Sequence, residues 1–214
     1  MERRRIPTWI KVAWTAWLAV WVPSYYAHYG PQNFLWFCDL ANLAIGVALW
    51  TESPLLFSMQ ALSVLGVQTL YTVDLLGRLT LGFHPVGGTE YMFDATTPVA
   101  IRALSLFHVA TPPVLAWAVA RLGYDRRALA WQTAAAWVVL AISFLGFGPD
   151  RDLNWVWGPF DRPQAWVGPW TWFAACLAGF PLLVYLPTHL ALSRLAPAAG
   201  ARAGPATARS VRPP

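Results

Sequence analysis

Residues 129–147 read LAWQTAAAWVVLAISFLGF, a run of 19 residues that contains no charged side chain. A helix rises about 1.5 Å per residue, so this run would be about 28 Å long, close to the thickness of the hydrocarbon core of a bilayer. Because unpaired backbone groups find no water inside a bilayer, such a run is expected to be helical. The segment therefore predicts a transmembrane helix.

Five further apolar stretches of similar length accompany this run. They cover residues 9–27, 33–50, 54–72, 98–120 and 169–190. The chain of 214 residues is 57% hydrophobic and only 12% charged, whereas soluble domains carry about 25% charged residues. This composition excludes disordered and ordinary soluble proteins and predicts an all-α, polytopic membrane bundle. We expect six transmembrane helices within residues 1–195.

The distribution of Lys and Arg predicts the orientation of this bundle. Eleven of the 15 basic residues fall before or just inside the first stretch, between the fourth and fifth stretches, or after the sixth. Three fall on the opposite side, and Arg102 lies within the fourth stretch. Because positively charged loops stay on the cytoplasmic side, both termini are predicted to be cytoplasmic. Tryptophans near both ends of the stretches fit the aromatic belts of a multi-pass membrane protein.

The composition changes after residue 195. Residues 196–214 contain mainly Ala, Gly, Pro and Arg without apolar periodicity, which predicts a disordered, basic cytoplasmic tail. The basic cytoplasmic face suits the anionic head groups of membrane lipids, which are the expected partners. No nucleic-acid-binding or cofactor-binding motif is present, so neither nucleic acid nor a cofactor is expected.

Polar residues within two of the stretches indicate a candidate site. They are Cys38, Asp39 and Asn42 in the second stretch and Arg102, Ser105 and His108 in the fourth. Polar groups in hydrocarbon are costly, so these side chains are expected to face the interior of the bundle. Spacings of three and four residues put members of each set on one helix face. Both helices are expected to enter from the outer side, which predicts a site in the outer half of the membrane.

The residue types in this set suggest thiol chemistry. A cysteine attacks an acyl carbonyl as a thiolate, and a neighbouring histidine supplies or stabilises that form. Cys38 is therefore the candidate nucleophile and His108 the candidate base. Asn42 could hydrogen-bond the thiol or the substrate carbonyl. The remaining polar residues of the set are candidates for substrate binding, and two of them, Asp39 and Arg102, are also expected to form an ion pair.

Two segments carry a resemblance to a known group of proteins. WFCDLANL at residues 36–43 and LSLFHVATPPVL at 104–115 are similar to the androgen-induced fatty-ester hydrolases and related transmembrane lipid acyltransferases. That resemblance implies a six-span protein with an intramembrane nucleophile and a histidine partner, which map to Cys38 and His108. This chain departs from the hydrolase pattern at Ser105 and Phe107, and in having Asp39 after the nucleophile.

Two other segments resemble uncharacterised bacterial integral membrane proteins. They are RLGYDRRAL at residues 121–129 and NWVWGPF at 154–160. Together the resemblances imply a multi-pass protein of the cell membrane with an acyl lipid as substrate. Neither the direction of acyl transfer nor an oligomeric state follows from the sequence.

Two other function classes stay open at this point. A metal-dependent membrane hydrolase would use carboxylate and imidazole ligands, because these suit Zn²⁺. The candidates are Asp39, Asp74, His84, Asp94 and His108, although no HxxxH or HExxH spacing occurs, so no metal is expected. A non-catalytic transporter or scaffold protein is the other alternative, and the absence of internal repeats argues mildly against a secondary transporter.

Overall fold

Each of the six apolar stretches contains one long helix in the computed structural model, which describes residues 6–159 and 162–199. The helices are α1 (Thr8–Tyr29), α2 (Phe37–Thr51), α3 (Pro54–Leu81), α4 (Val99–Leu122), α5 (Ala128–Gly146) and α6 (Pro169–Leu195). Within the described ranges there is no β-sheet. The expected all-α fold is confirmed.

Four of these helices are long and apolar enough to cross a membrane, namely α3, α4, α5 and α6. Helix α2 is apolar but has only 15 residues, which corresponds to about 22 Å. Helix α1 has 22 residues, and Lys11 together with its tryptophans and tyrosines lowers its mean hydropathy. The described residues therefore form a helical protein with four membrane-length apolar helices, where the sequence predicted six.

The surface of the bundle is apolar and its interior contains many polar side chains. Leu145 and Leu183 are 70% and 78% exposed, respectively, whereas Asn42 and Gln68 are buried. A soluble protein shows the opposite arrangement, because exposed apolar patches drive association in water. The distribution fits a protein whose surface contacts lipid.

Two helices contain π-helical segments that pack against each other. Ala61–Leu65 lies within α3, and Phe180–Tyr185 lies within α6. Pro181 and Pro187 supply no backbone N–H, which favours the altered hydrogen bonding of α6. Tyr185 is fully buried at this contact.

The loop between α4 and α5 binds the segment that follows α6. The Tyr124 N–H donates to the Pro197 carbonyl at 2.7 Å, and the Ala199 N–H donates to the Tyr124 carbonyl at 3.0 Å. The Tyr124 hydroxyl bonds His189 Nδ1 at 2.7 Å, and burial raises the pKa of Tyr124 to about 12, so the phenol stays protonated at neutral pH. This loop therefore contacts the first residues of the predicted tail, and residues 200–214 lie outside the described residues.

Gly123 is required for this contact, and we expect Gly123→Ala to destabilise the protein. Its φ is +92°, and an added Cβ would lie 2.6 Å from Ala199 Cα and 2.7 Å from the Ala198 carbonyl oxygen. A side chain in this conformation costs about 1–3 kcal/mol, which the free energy of unfolding in mixed micelles would report. Gly66→Ala is the control, because a Cβ there meets nothing within 4 Å. Equal stability of the two variants would contradict the expectation.

Candidate functional site

A loop residue fixes the start of α2, the helix that carries the candidate nucleophile. Asn154 adopts a left-handed conformation with φ 57°, which asparagine tolerates better than most residues. Its Oδ1 accepts a hydrogen bond from the Phe37 N–H at 2.9 Å, and its Nδ2 donates to the Leu35 carbonyl at 2.9 Å. Asn154 thus caps the helix and positions Cys38 and Asp39 in the first turn.

The thiol of Cys38 and the carboxyl group of Asp39 contact each other at this helix start. Cys38 Sγ donates to Asp39 Oδ1 at 3.7 Å, and Asn33 Nδ2 donates to Asp39 Oδ2 at 2.5 Å. Asp39 is buried, so both of its oxygens depend on these protein donors. The carboxyl group is therefore a partner of the thiol.

Helix α4 orients the imidazole of His108. His108 Nδ1 lies 2.8 Å from the Ser105 carbonyl oxygen, and since a carbonyl can only accept, Nδ1 carries the hydrogen. In the neutral ring this leaves Nε2 as an acceptor. The ring also stacks on Tyr71, with ring centroids 4.5 Å apart and an interplanar angle of 18°. His108 is thus held in the tautomer that a general base at Nε2 requires.

Three tyrosine hydroxyls lie among these groups, and they were not predicted because tyrosine counts as an apolar residue in the composition. The Tyr25 hydroxyl lies 2.6 Å from Ser105 Oγ, and it is the donor because the Ser105 hydroxyl itself donates to the Ile101 carbonyl. The Tyr71 and Tyr91 hydroxyls are 2.9 Å apart. Burial raises the pKa of the loop residue Tyr91, and neighbouring Tyr71 adds to the rise, so its phenol keeps a hydrogen to donate.

The structure brings most of the predicted site residues into one region, which we call the polar cluster. The polar cluster consists of Tyr25, Cys38, Asp39, Tyr71, Tyr91, Ser105 and His108. Cys38 packs in the same apolar group as Tyr25 and Phe107, and Phe107 precedes His108 in the chain. No hydrogen bond joins Cys38 to His108, because the thiol donates to Asp39 and the imidazole to Ser105.

The expected ion pair between Asp39 and Arg102 is wrong. In the described part of the chain Asp39 accepts from Asn33 and Cys38, while Arg102 donates to the Met92 carbonyl at 3.1 Å. The hydrogen bonds to Thr96 and the charge of Arg102 together lower the pKa of the exposed Asp94. Arg102 therefore anchors the loop between α3 and α4, because this loop and not α2 supplies its hydrogen-bond acceptor.

We consequently expect Asp39→Asn and Arg102→Gln to act independently on stability. The two side chains share no hydrogen-bond partner, so the double variant should lose the sum of the two single losses within about 0.5 kcal/mol. Unfolding in mixed micelles gives the three free-energy changes. If the double variant loses clearly less free energy of unfolding than the sum of the two single losses, the two residues do form an ion pair.

Two buried amides beside the polar cluster have no partner. Asn42 and Gln68 are 0% and 1% exposed, and none of their four amide nitrogen and oxygen atoms makes a hydrogen bond. A buried polar group without a partner costs about 1–3 kcal/mol. The sequence predicted Asn42 as part of the site from its spacing to Cys38, and Gln68 is added by the structure.

The candidate metal ligands are not brought together. Among the described residues no group of three or more His, Cys, Asp or Glu side chains could hold a metal ion. Asp74 and His84 do meet, with Nδ1 and Oδ2 3.0 Å apart, but the Asp74 carboxylate also accepts from the loop after α3. This pair serves to fold that loop.

A cavity of about 260 Å³ opens between the turn before α2 and the loop after α5. It is lined by Tyr29, Gln32, Asn33, Trp36 and residues 149–153. Asn33 also donates to Asp39, so a side chain in the cavity wall contacts the carboxyl group that bonds the Cys38 thiol.

In chemical terms the polar cluster offers a thiol, an imidazole with an acceptor nitrogen and several neutral hydroxyl donors. A thiol and a base within one site can support nucleophilic attack on an acyl group, and hydroxyl donors can bind its oxygen atoms. Comparison of this chain with protein-family models, with curated proteins and with solved structures finds no match.

Proposed function

We propose that this protein is a membrane enzyme that transfers or hydrolyses the acyl group of a lipid, with Cys38 as nucleophile and His108 as general base. The observation that carries the proposal is the tautomer of His108, whose Nδ1 hydrogen is engaged by Ser105. Its Nε2 is then an acceptor within the cluster that contains the thiol. The resemblance of residues 36–43 and 104–115 to fatty-ester hydrolases and lipid acyltransferases supports the same assignment.

The first chemical step forms an acyl-enzyme. His108 Nε2 takes the proton of the Cys38 thiol, and the sulfur attacks the acyl carbonyl carbon of the lipid ester. The C–S bond forms, the ester C–O bond breaks, and the leaving alcohol takes the proton from His108. For this step the thiol has to turn from Asp39 to the imidazole, a rearrangement that substrate binding can supply because catalytic hydrogen bonds often tighten only in the complex.

Incubation with a phospholipid labelled in its acyl chain tests this proposal. The purified protein should carry the labelled acyl group on Cys38 as a thioester, which peptide mapping locates and hydroxylamine removes. Cys176→Ser should label like the wild type, because Cys176 donates to the Trp155 carbonyl away from the cluster. Absence of label, or equal label in Cys38→Ser, would refute the acyl-enzyme.

The proposed topology has six spans, both termini on the cytoplasmic side and the polar cluster in the outer half of the cell membrane. The imbalance of Lys and Arg between the two sides supports this orientation. The apolar helix α2 is short for a bilayer. The 3₁₀ turn at residues 31–35, which precedes α2, adds to the length of this span. Acyl lipids would then reach the cluster from the outer leaflet.

Impermeant thiol reagents applied to intact spheroplasts should reveal this orientation. In a Cys38→Ser and Cys176→Ser background, single cysteines in residues 148–168 should react from outside, while cysteines in residues 200–214 should react only after lysis. The reverse pattern would place the polar cluster in the cytoplasmic half and reject the outer-leaflet substrate.

A non-catalytic protein that binds or moves a polar lipid is the second candidate. The contact between Cys38 and Asp39 favours it, since a thiolate next to a carboxylate is disfavoured by like charge. Such a protein would bind phospholipid without forming a thioester, and Cys38→Ser would leave binding unchanged. The labelling experiment therefore separates the two candidates.

A further inference from the structure

Asn42 and Gln68 are two buried polar residues that the proposed acyl-enzyme step does not use. Both side chains are almost fully buried, and the amide nitrogen and the amide oxygen of each lack a hydrogen-bond partner. Native proteins leave few such groups, and functional sites are where a local rule of stability is commonly broken. Two amides in the same condition next to one cluster point to a ligand.

The positions of these amides relate them to both reacting groups. Asn42 follows Cys38 by four residues on α2, so the two share a helix face. Gln68 precedes Tyr71 by three residues on α3, and Tyr71 stacks on His108. Helices α2 and α3 run in opposite directions and are connected at residues 52–53. Asn42 lies one helical turn closer to this connection than Cys38 does, and Gln68 lies one helical turn closer to it than Tyr71 does. Each amide therefore lies one helical turn from a member of the polar cluster.

The chemistry of a primary amide selects the ligand group. The NH₂ group donates and the carbonyl oxygen accepts, so a ligand that only accepts, such as an ester carbonyl, would leave both amide oxygens unpaired. A hydroxyl group donates one hydrogen and accepts others. We propose that Asn42 and Gln68 bind the hydroxyl group of the acyl acceptor, either a lysolipid or water, that releases the acyl chain from Cys38.

This inference rests on the proposed function and completes its second step. The acceptor hydroxyl turns its one hydrogen from the amide oxygen to His108 Nε2, which takes the proton, and the hydroxyl oxygen attacks the thioester carbonyl carbon. The C–O bond forms, the C–S bond breaks, and the proton passes from His108 to the Cys38 sulfur. A lysolipid acceptor yields a new ester, and water yields a free fatty acid. The identity of the product distinguishes the two sources of the hydroxyl.

A pulse-chase experiment on Asn42→Leu and Gln68→Leu tests the assignment. The protein is loaded with a labelled phospholipid, and the loss of label from Cys38 is followed with and without added lysophosphatidylcholine. Both variants should form the acyl-enzyme at nearly the wild-type rate but lose the label at least tenfold more slowly. Gln68→Met is a second variant in case the branched side chain does not fit.

Thermal stability without ligand gives an independent readout. Since the amides have no partner to lose, the leucine variants should melt at or above the wild-type temperature. Ser58→Ala is the matched control, because Ser58 is fully buried and its Oγ accepts from the Asp125 N–H at 2.9 Å. This control should melt lower and release the acyl group at the wild-type rate.

The results distinguish failure of the role of the amides from failure of the proposed acyl-enzyme. Normal release in both leucine variants, or melting temperatures lowered as in Ser58→Ala, would overturn the role of the amides while leaving the acyl-enzyme intact. A wild-type protein that never acquires label would overturn the proposed function and this inference together. Slow release with unreduced stability supports the hydroxyl-binding site.

Discussion

Cys38→Ser is expected to lower acyl-lipid turnover by about 10³-fold or more while the protein stays folded. The serine hydroxyl can still donate to Asp39, so the first turn of α2 and its cap by Asn154 should be retained. What is lost is the nucleophile, because a hydroxyl group is far less easily ionised than a thiol. The measurement is release of labelled fatty acid or transfer product from phospholipid in mixed micelles.

His108→Ala should slow the same reaction by about 10²–10⁴-fold, the usual contribution of a general base. Here the fold has more to lose, since His108 stacks on Tyr71 and its Nδ1 donates to the Ser105 carbonyl. His108→Asn is therefore made in parallel, because its amide can keep a donor near Ser105 while removing the base. Turnover near the wild-type level in both variants would exclude His108 as the base.

Asp74→Ala is expected to destabilise the protein by about 3–5 kcal/mol, the largest stability effect that the structure supports. Asp74 is fully buried, and its Oδ1 accepts from the N–H groups of Val86 and Gly87 at 2.8 and 2.9 Å. Its Oδ2 accepts from the Thr89 hydroxyl at 2.5 Å and from His84 Nδ1 at 3.0 Å. Hydrogen bonds to a charged acceptor are stronger than those between neutral groups. The Asp74 carboxylate therefore holds the loop that follows α3 in its folded conformation.

The effect of Asp74→Ala should also reach the polar cluster. Tyr91 follows Thr89 by two residues and bonds Tyr71, so an open loop would withdraw one hydroxyl from the site. We expect faster proteolysis within residues 82–98 in addition to the lower free energy of unfolding. Asp94→Ala is the control, because among the described residues the Asp94 carboxylate accepts hydrogen bonds only from Thr96, in an exposed turn. Losses of similar size in both variants would contradict the role assigned to Asp74.

Part of the candidate site could be predicted from spacing alone. Cys38 and His108 lie in apolar stretches next to other polar residues, and the cost of polar groups in hydrocarbon requires them to face inward. The structure places both in the polar cluster with Ser105 and Asp39. Helical periodicity is a local property, and for this reason it identifies which face of a helix is polar.

The hydrogen-bond partners could not be predicted in the same way. Arg102 bonds the Met92 carbonyl and not Asp39, and Asn154 reaches α2 from a loop more than a hundred residues away. These choices depend on how each helix is rotated and on the path of the loops, neither of which leaves a periodic signal. Tyr25 and Tyr71 were overlooked because a phenol is apolar over most of its surface and polar at one atom.

The sequence by itself determined the class of the protein, the positions of its helices and the residues that turn inward. Each of these follows from local composition, since an apolar run of about 20 residues can satisfy its backbone in lipid only as a helix. Only the tertiary structure decided that the thiol faces a carboxyl group, that the imidazole is held by its own helix, and that Asn42 and Gln68 stay unpaired. The physical reason is that a hydrogen bond requires two groups within about 3 Å, and the packing of distant segments alone sets that distance.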